Sequence, residues 1–416
     1  MRSPPWLPFA NLSLRGLGLV GRLGLAIFLV RFFPLTDVGS FGLIAGVVGM
    51  APAMLGWGLN YFLGRAIVDV PLPQAMSQMR RRLLFTVGTV SVAAALTLVG
   101  CGLAGVPLLP LVLPTLLLVF LECIAFDVQM SLIALRMSLA ANLILFVRSA
   151  AWVFPAALAA FLHAELRTLP FMLWSWLAGV AVCYLILGVM ARRARFPWRA
   201  QPNEGREWID DWVRRGGWLI YLNDIGIVGL LYFDRYIVTH FLGLEVAGAF
   251  TSYWSVANAV HILIFTGWLQ PSLPHLVSAL RRGDEADWRR QLVRLARVIV
   301  GVGLSLSLLL FAVVVWGLPA VGVNRLQGYS ALFALMLAGT VVRLIADLLH
   351  QAMYTRSLDR PLAIINIAGI AITVAVSAAC IAAFGLMGAG VATLLTPTLL
   401  LLMRAATLAR WRAPHA

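Results

Sequence analysis

Residues 216–250 read GGWLIYLNDIGIVGLLYFDRYIVTHFLGLEVAGAF, a stretch that opens with an apolar segment long enough to cross a membrane. The segment nevertheless contains three charged residues, Asp224, Asp234 and Arg235. A charged side chain near the centre of a bilayer costs about 2.5–3.5 kcal/mol even on lenient insertion scales. Asp224 and Arg235 are eleven residues apart, which places them on one face of a helix. The pattern predicts a membrane helix that lines a cavity.

The composition of the whole chain is that of a membrane protein. Of its 416 residues, 61% are hydrophobic and 12% are charged, about half the charge of an ordinary soluble domain. Apolar runs of about twenty residues recur from end to end. The longest polar stretch, 192–215, is too short to bury a core of its own. The sequence therefore predicts an all-α polytopic membrane protein, and it offers no metal-ligand spacing and no cofactor motif.

The distribution of arginine predicts the orientation of the chain. The net charge is +15, but the basic residues cluster between alternate apolar segments, which argues for membrane topology and against a nucleic-acid partner. Cytoplasmic loops of membrane proteins carry an excess of Lys and Arg. With both termini in the cytoplasm, the cytoplasmic arginines include Arg82 and the tail from Arg404 to Arg412, whereas the outer loops hold only Arg167 and Arg325.

We predict twelve transmembrane spans from the apolar runs. They lie near residues 12–33, 38–62, 83–105, 108–134, 140–162, 169–191, 216–241, 246–271, 293–317, 329–354, 362–384 and 387–409.

The spans divide into two sets of six on either side of the polar stretch 192–215. LTDVGSF (35–41) and LEVAGAF (244–250) stand at the same turn of each set, with Gly39 aligned to Gly248. This similarity is short enough to arise by chance, but with the equal span counts it favours a duplicated six-helix unit, a common transporter plan. We therefore assign 1–191 to an N-terminal six-helix lobe, 192–215 to a cytoplasmic linker and 216–416 to a C-terminal six-helix lobe.

The linker contains Trp208, Ile209, Trp212 and Val213 at helical spacing. One apolar face with charged residues around it predicts an amphipathic helix on the inner membrane surface. A solvated linker with incidental tryptophans is the other interpretation.

An enzyme is not expected. GLGLVG (16–21) matches the dinucleotide pattern GxGxxG, but it opens a membrane helix and no strand precedes it, so the match carries no function. The predicted outer loops are only a few residues long, which leaves no room for the catalytic loops of membrane glycan polymerases or ligases.

Polar side chains in other spans are candidates for the same cavity. The stripe at 254–268 combines aromatic and polar residues that could stack on sugar faces. Arg343 and Asp347, four residues apart, could bind a ligand or could simply neutralise each other. If these groups converge, they form a hydrated cavity at the midplane between the two halves, whose arginines could bind a diphosphate. The candidate residues are Arg22, Arg148, Asp224, Asp234, Arg235, Trp254, Asn258, His261, Trp268, Arg343 and Asp347.

The acids of this set raise the question of ion coupling. Asp224, Asp234 or Asp347 could carry a coupling proton, because removal from water favours the neutral carboxylic acid. Sodium coupling, or a purely structural neutralisation of nearby arginines, stays open.

Four segments resemble Wzx-type flippases of lipid-linked oligosaccharides, within the multidrug/oligosaccharidyl-lipid/polysaccharide (MOP) exporter superfamily. The resemblance implies a MATE-like fold of two lobes, alternating access, and a lumen in which Asp234 and Arg235 are functional. The segments are RFFPLTDVGSFGLIAGVVGMAPAMLGWGLNYFLGR (31–65), LLYFDRYIVTHFLGLEVAGAFTSYWSVAN (230–258), QPSLPHLVSALRRGDEADWRRQLVRLARV (270–298) and FGLMGAGVATLL (384–395).

The function implied by this resemblance is translocation of an undecaprenyl-diphosphate-linked oligosaccharide across the bacterial inner membrane, for surface polysaccharide such as O-antigen. The implied partners are the lipid-linked oligosaccharide, membrane lipids and the polysaccharide polymerase machinery. The alternative is a cation-coupled multidrug or small-molecule exporter of the same superfamily. The motifs do not encode the glycan.

Overall fold

The computed structural model describes residues 7–68, 70–105, 107, 111–197, 207–320 and 327–410, and these residues are helical without any strand. The predicted all-α class is therefore confirmed. The helices are α1 (Leu7–Phe32), α2 (Leu35–Gly56), α3 (Leu59–Ile67), α4 (Leu72–Leu103), α5 (Leu113–Ala134), α6 (Ser138–Phe146), α7 (Val153–Leu162), α8 (Leu169–Arg193), α9 (Glu207–Arg214), α10 (Gly217–Ile264), α11 (Gln270–Arg281), α12 (Glu285–Ala312), α13 (Leu318–Ala320), α14 (Ser330–Thr355) and α15 (Asp359–Arg410).

Two glycine breaks account for the number of spans. Within the described residues, ten helical stretches are long and apolar enough to cross a membrane. Two of them contain a break, at Gly243 (φ 81°, ψ 173°) in α10 and at Gly385 (φ 56°, ψ −134°) in α15. Only glycine adopts such backbone angles without strain. Separating the helices at these breaks gives the twelve predicted spans of a multi-pass membrane protein.

Three π-helical segments interrupt the spans of the described chain. They are Val147–Ala151, Phe265–Leu269 and Val313–Gly317. Such segments occur frequently at functional sites. The first contains the candidate residue Arg148, and the second follows the helix that carries the candidate residue His261.

The chain divides into two compact units. Unit 1 consists of Met1–Phe28 and Ile44–Ile225, and unit 2 consists of Leu29–Leu43 and Gly226–Ala416. The end of α1 and the first turns of α2 therefore pack with the second half of the chain. The proposed boundaries of the lobes and the linker stay a prediction.

The two turns aligned in the sequence, 35–41 and 244–250, pack against each other in unit 2. A Cβ added at Gly39 would overlap the Leu244 carbonyl oxygen, and a Cβ added at Gly248 would overlap the Leu35 carbonyl oxygen. The same offset in residue number relates Gly39 to Gly248 and Leu35 to Leu244, so each turn contacts the other in the same way. The predicted duplication itself stays a prediction.

The second span is broken within unit 1. Trp57 (φ 56°) and Gly58 (φ 66°) adopt left-handed backbone angles between α2 and α3. A helix end leaves carbonyl oxygens without helical partners. The Tyr221 hydroxyl donates to the Met54 carbonyl oxygen, and Trp212 Nε1 donates to the Trp57 carbonyl oxygen, both at 2.8 Å. These two side chains therefore cap the break.

The amphipathic helix expected in the linker is present as α9, but much of its apolar face packs inside unit 1. Trp208 is buried in a cluster with Leu63 and Ile67 of α3. Val213, by contrast, is 68% exposed. Residues 198–206 of the linker, Arg325 and the tail from residue 411 lie outside the described residues.

Candidate functional site

Unit 2 contains a partly open cavity of about 290 Å³ between α10, α14 and α15, and all of its lining residues belong to unit 2, whereas the sequence predicts a cavity between the two halves. On α14 the lining side chains recur at three- and four-residue steps, from Thr340 to Gln351, so that one face of the helix forms a wall. Residues on both sides of the Gly385 break form the α15 wall. Six of the predicted candidates line the cavity: Asp234, Trp254, Asn258, His261, Arg343 and Asp347.

Asp347 is held by residues from two other parts of the chain. Its Oδ2 lies 2.7 Å from Nε2 of His261, and its Oδ1 lies 3.5 Å from Nη1 of Arg404. The Arg404 guanidinium also donates to the Ala346 carbonyl oxygen at 2.7 Å and to Asn366 Oδ1 at 3.0 Å. This network joins α10, α14 and α15 at the cavity wall.

Arg343 lines the same cavity but has no hydrogen bond or ion pair with any residue in the described part of the chain. Asp347, four residues along α14, pairs with His261 and Arg404 and not with Arg343. Arg343 is within electrostatic range of Asp234, Asp347 and Arg404. Its planar set of N–H donors is therefore available to a carboxylate or a phosphate in the cavity.

Asp234 and Arg235 are adjacent in sequence but occupy different surroundings. Asp234 lines the cavity, and its Oδ1 accepts a hydrogen bond from the Arg235 backbone N–H at 2.8 Å. Arg235 is only 4% exposed. Its guanidinium lies 3.9 Å from the centroid of the Trp254 ring, and Nη1 donates to the Gly42 carbonyl oxygen at 3.3 Å. Arg235 thus ties α10 to the first turns of α2, and it occupies one face of Trp254.

The remaining candidates are not among the residues that line this cavity. Trp268 is in the π-helical segment Phe265–Leu269 and is not among the residues that line the cavity. Arg22 donates to the Ser149 hydroxyl at 3.0 Å in unit 1. Arg148 pairs with Glu122 and donates to Gln129 Oε1 at 2.7 Å. Asp224 belongs to the first turns of α10, which are part of unit 1.

The predicted locations of two arginines, Arg82 and Arg404, are wrong. Arg82 was placed in a cytoplasmic loop, but α4 begins at Leu72, so Arg82 lies inside a helix and is 1% exposed. Arg404 was placed in the cytoplasmic tail, but it is buried within α15 and lines the cavity. The signal that could have found Arg404 is its position inside the last predicted span, 387–409.

Arg82 forms a closed cluster in unit 1 that the sequence interpretation missed. Its Nη2 donates to Asp127 Oδ1 at 3.0 Å, and its Nε donates to Asn60 Oδ1 at 3.1 Å. Asn60 Nδ2 donates to the same Asp127 oxygen at 2.6 Å, and the Thr86 hydroxyl donates to the other. These contacts join α3, α4 and α5.

Comparison with solved structures identifies the fold. No protein-family model matches the chain, and no curated protein matches it in sequence. A multidrug resistance MATE family transporter of the MOP superfamily, in an inward-facing conformation, superimposes with a TM-score of 0.68 at 11% identity, covering 98% of this chain and 99% of that one. The chain has the fold of MOP-superfamily transporters.

Other solved structures with this fold give the same result. A MOP superfamily transporter from Pyrococcus furiosus has a TM-score of 0.60 at 12% identity, over 96% of this chain and 93% of that one. An outward-facing MATE family transporter has a TM-score of 0.58 at 13% identity, over 97% and 94%. The MATE-like fold implied by the resemblance is therefore confirmed. At these identities the likeness concerns the fold alone.

Proposed function

We propose that the protein is a transporter that moves an undecaprenyl-diphosphate-linked oligosaccharide across the bacterial inner membrane by alternating access. The observation that carries this proposal is Arg343, which makes no hydrogen bond or ion pair with the described residues and lines a cavity that combines apolar and polar side chains. A guanidinium binds phosphate oxygens through two parallel N–H donors, which suits it to a diphosphate.

The rest of the cavity fits a hydroxylated headgroup. Asn258, Thr340, Thr373 and Ser377 line it and offer hydrogen-bonding groups. At about 290 Å³ the cavity is at the small end of ligand pockets, so it would receive only the phosphate-bearing part of the headgroup. Arg404 and His261 occupy Asp347, and Asp234 accepts a hydrogen bond from its own helix, which leaves Arg343 as the arginine whose N–H donors are offered to an anionic substrate.

Further support comes from the fold and from the resemblance in the sequence. The solved structures that superimpose on the chain are transporters, and the four segments quoted above resemble Wzx-type flippases. We place both termini in the cytoplasm, because exposed arginines cluster where α11 meets α12. A cysteine introduced at Ala286 in a cysteine-free variant should then react with an impermeant reagent only from the cytoplasmic side. Membrane lipids and the polysaccharide polymerase machinery are the partners of this proposal.

A flipping assay tests the proposal directly. Proteoliposomes would contain a fluorescent undecaprenyl-diphosphate-linked glycan, and an impermeant quencher would report the fraction in the outer leaflet. We expect Arg343→Gln to reduce flipping at least tenfold at equal protein level. The matched control is Arg294→Gln, which removes an exposed arginine from α12 of the same unit and should stay within twofold of wild type. Wild-type flipping by Arg343→Gln would contradict the proposal.

A second candidate function is the cation-coupled export of small amphipathic molecules. The observation in its favour is Asp234, a carboxylate in the same cavity that could bind a cationic substrate, a proton or sodium. In this case expression should lower the susceptibility of a host strain to cationic drugs, and Asp234→Asn should abolish the protection. Unchanged susceptibility on expression would count against it.

A further inference from the structure

Arg343, which makes no hydrogen bond or ion pair with the described residues, lies four residues before an acid that could neutralise it. Arg343 and Asp347 are both on α14, and opposite charges at this spacing pair readily on a helix. Such a pair would occupy the donors that a phosphate needs. In the structure the pair does not form, because His261 and Arg404 bind the Asp347 carboxylate.

The contacts of Arg404 hold its guanidinium beside the Asp347 carboxylate. It reaches Asp347 from the second part of α15, and its Nη1 also donates to the Ala346 carbonyl oxygen at 2.7 Å. Its Nη2 donates to Asn366 Oδ1 at 3.0 Å. Arg404 is 4% exposed, so it has little freedom to leave this position.

The second acid near Arg343 is held in a similar way. One oxygen of Asp234 accepts the Arg235 backbone N–H at 2.8 Å, a bond within its own helix. Both carboxylates in electrostatic range of Arg343 therefore have hydrogen-bond donors of their own, while Arg343 makes no hydrogen bond or close ion pair with the described residues.

We propose that Arg404, which Asn366 holds in place, is a positioning residue that occupies Asp347 together with His261 and so keeps Arg343 available to the anionic group of the substrate. This inference rests on the proposed function, in which Arg343 binds the phosphate. Without Arg404, the half-satisfied Asp347 carboxylate turns to Arg343, and an anion must then break an ion pair before it binds. Loss of the Asp347 charge removes this competition.

The test is a set of binding measurements on the purified full-length protein, with geranylgeranyl diphosphate as the probe. We expect R343Q and R404Q each to weaken binding at least tenfold. D347N should bind as tightly as wild type or more tightly, and the double variant R404Q/D347N should recover to within threefold of wild type. R82Q, which alters a buried arginine cluster in unit 1, is the control for general loss of stability and should leave the affinity of folded protein unchanged.

The outcomes separate this inference from the proposed function. If R343Q binds the probe as wild type does, the proposed function fails. If R343Q is weak but R404Q binds normally, or if R404Q/D347N is as weak as R404Q, the positioning role is wrong and Arg404 acts directly on the anion or not at all. Should R404Q fail to fold, D347N alone decides, because weaker binding by D347N would mean that Asp347 assists the anion site instead of competing with it.

Discussion

Unit 1 and unit 2 each contain a buried cluster of an arginine, an aspartate and an asparagine, yet the two clusters differ in how far they are closed. In unit 1, Arg82 and Asp127 expose 1% and 2% of their side chains, and Asn60 bridges them. In unit 2, the cluster consists of Arg404, Asp347 and Asn366. Its aspartate, Asp347, exposes 23% of its side chain and lines a cavity. The same residue types are sealed in one unit and open to a ligand-sized space in the other.

The difference between the two clusters indicates which charged side chains can interact with a substrate. Asp127 accepts hydrogen bonds from three side chains, so the acid of the unit 1 cluster is satisfied within the cluster, although Nη1 of Arg82 is buried without a hydrogen bond in the described chain. The unit 2 cluster has Arg343 beside it, a cation that no described side chain satisfies. A closed cluster mainly determines packing between helices, whereas an open cluster with one unpaired cation is suited to binding.

The largest effect is expected where the closed cluster is broken. Replacement of Arg82 by Gln leaves Asp127 charged and buried without its cation, which costs about 3–5 kcal/mol. The free energy of unfolding, from a denaturant titration in detergent, measures this loss. Arg192→Gln, at an exposed arginine of the same unit, is the control and should be neutral. A wild-type unfolding curve for Arg82→Gln would mean that the unit 1 cluster is not structural.

A smaller loss of stability is expected from the equivalent change in the open cluster. In Arg404→Gln, Asp347 keeps its hydrogen bond to His261 and can turn to water or to Arg343, so the expected cost is about 1–3 kcal/mol. The same titration, on both variants in parallel, ranks the two clusters. An Arg404→Gln protein less stable than Arg82→Gln would reverse the comparison.

Much of the fold could be predicted from the sequence, because membrane spans and helix breaks are determined by local features, the hydropathy of a segment and the position of a glycine. The breaks at Gly243 and Gly385 fall in the short gaps between predicted spans, at 242–245 and 385–386. The start of α4 could not be predicted in the same way. Its first turns contain the arginines that hydropathy assigns to a loop, and the burial of Arg82 among them depends on partners elsewhere in the chain.

The candidate site was predictable only in part, for a related reason. The periodicity of one helix identifies which side chains share a face, and this was enough to put Asn258 and His261 on one face of α10 and Arg343 and Asp347 on one face of α14. It does not identify partners on other helices. Arg404 is 57 residues from Asp347, and Arg82 is 45 residues from Asp127. Whether Asp347 pairs with Arg343 or Arg404 depends on tertiary packing, and the periodicity of a single helix contains no information about tertiary packing.

The smallest effect on stability is expected at the residue that we consider most important for binding. Arg343 has no hydrogen-bond partner in the described chain, so Arg343→Gln should change the free energy of unfolding by no more than about 0.5 kcal/mol. Its attraction to Asp234 and Asp347 is lost, but its repulsion of Arg404 is relieved as well. The measurement is the same titration without ligand. If Arg343→Gln were as unstable as Arg404→Gln, Arg343 would be one more structural member of the cluster, and the contrast between a sealed unit 1 and a binding-competent unit 2 would no longer hold.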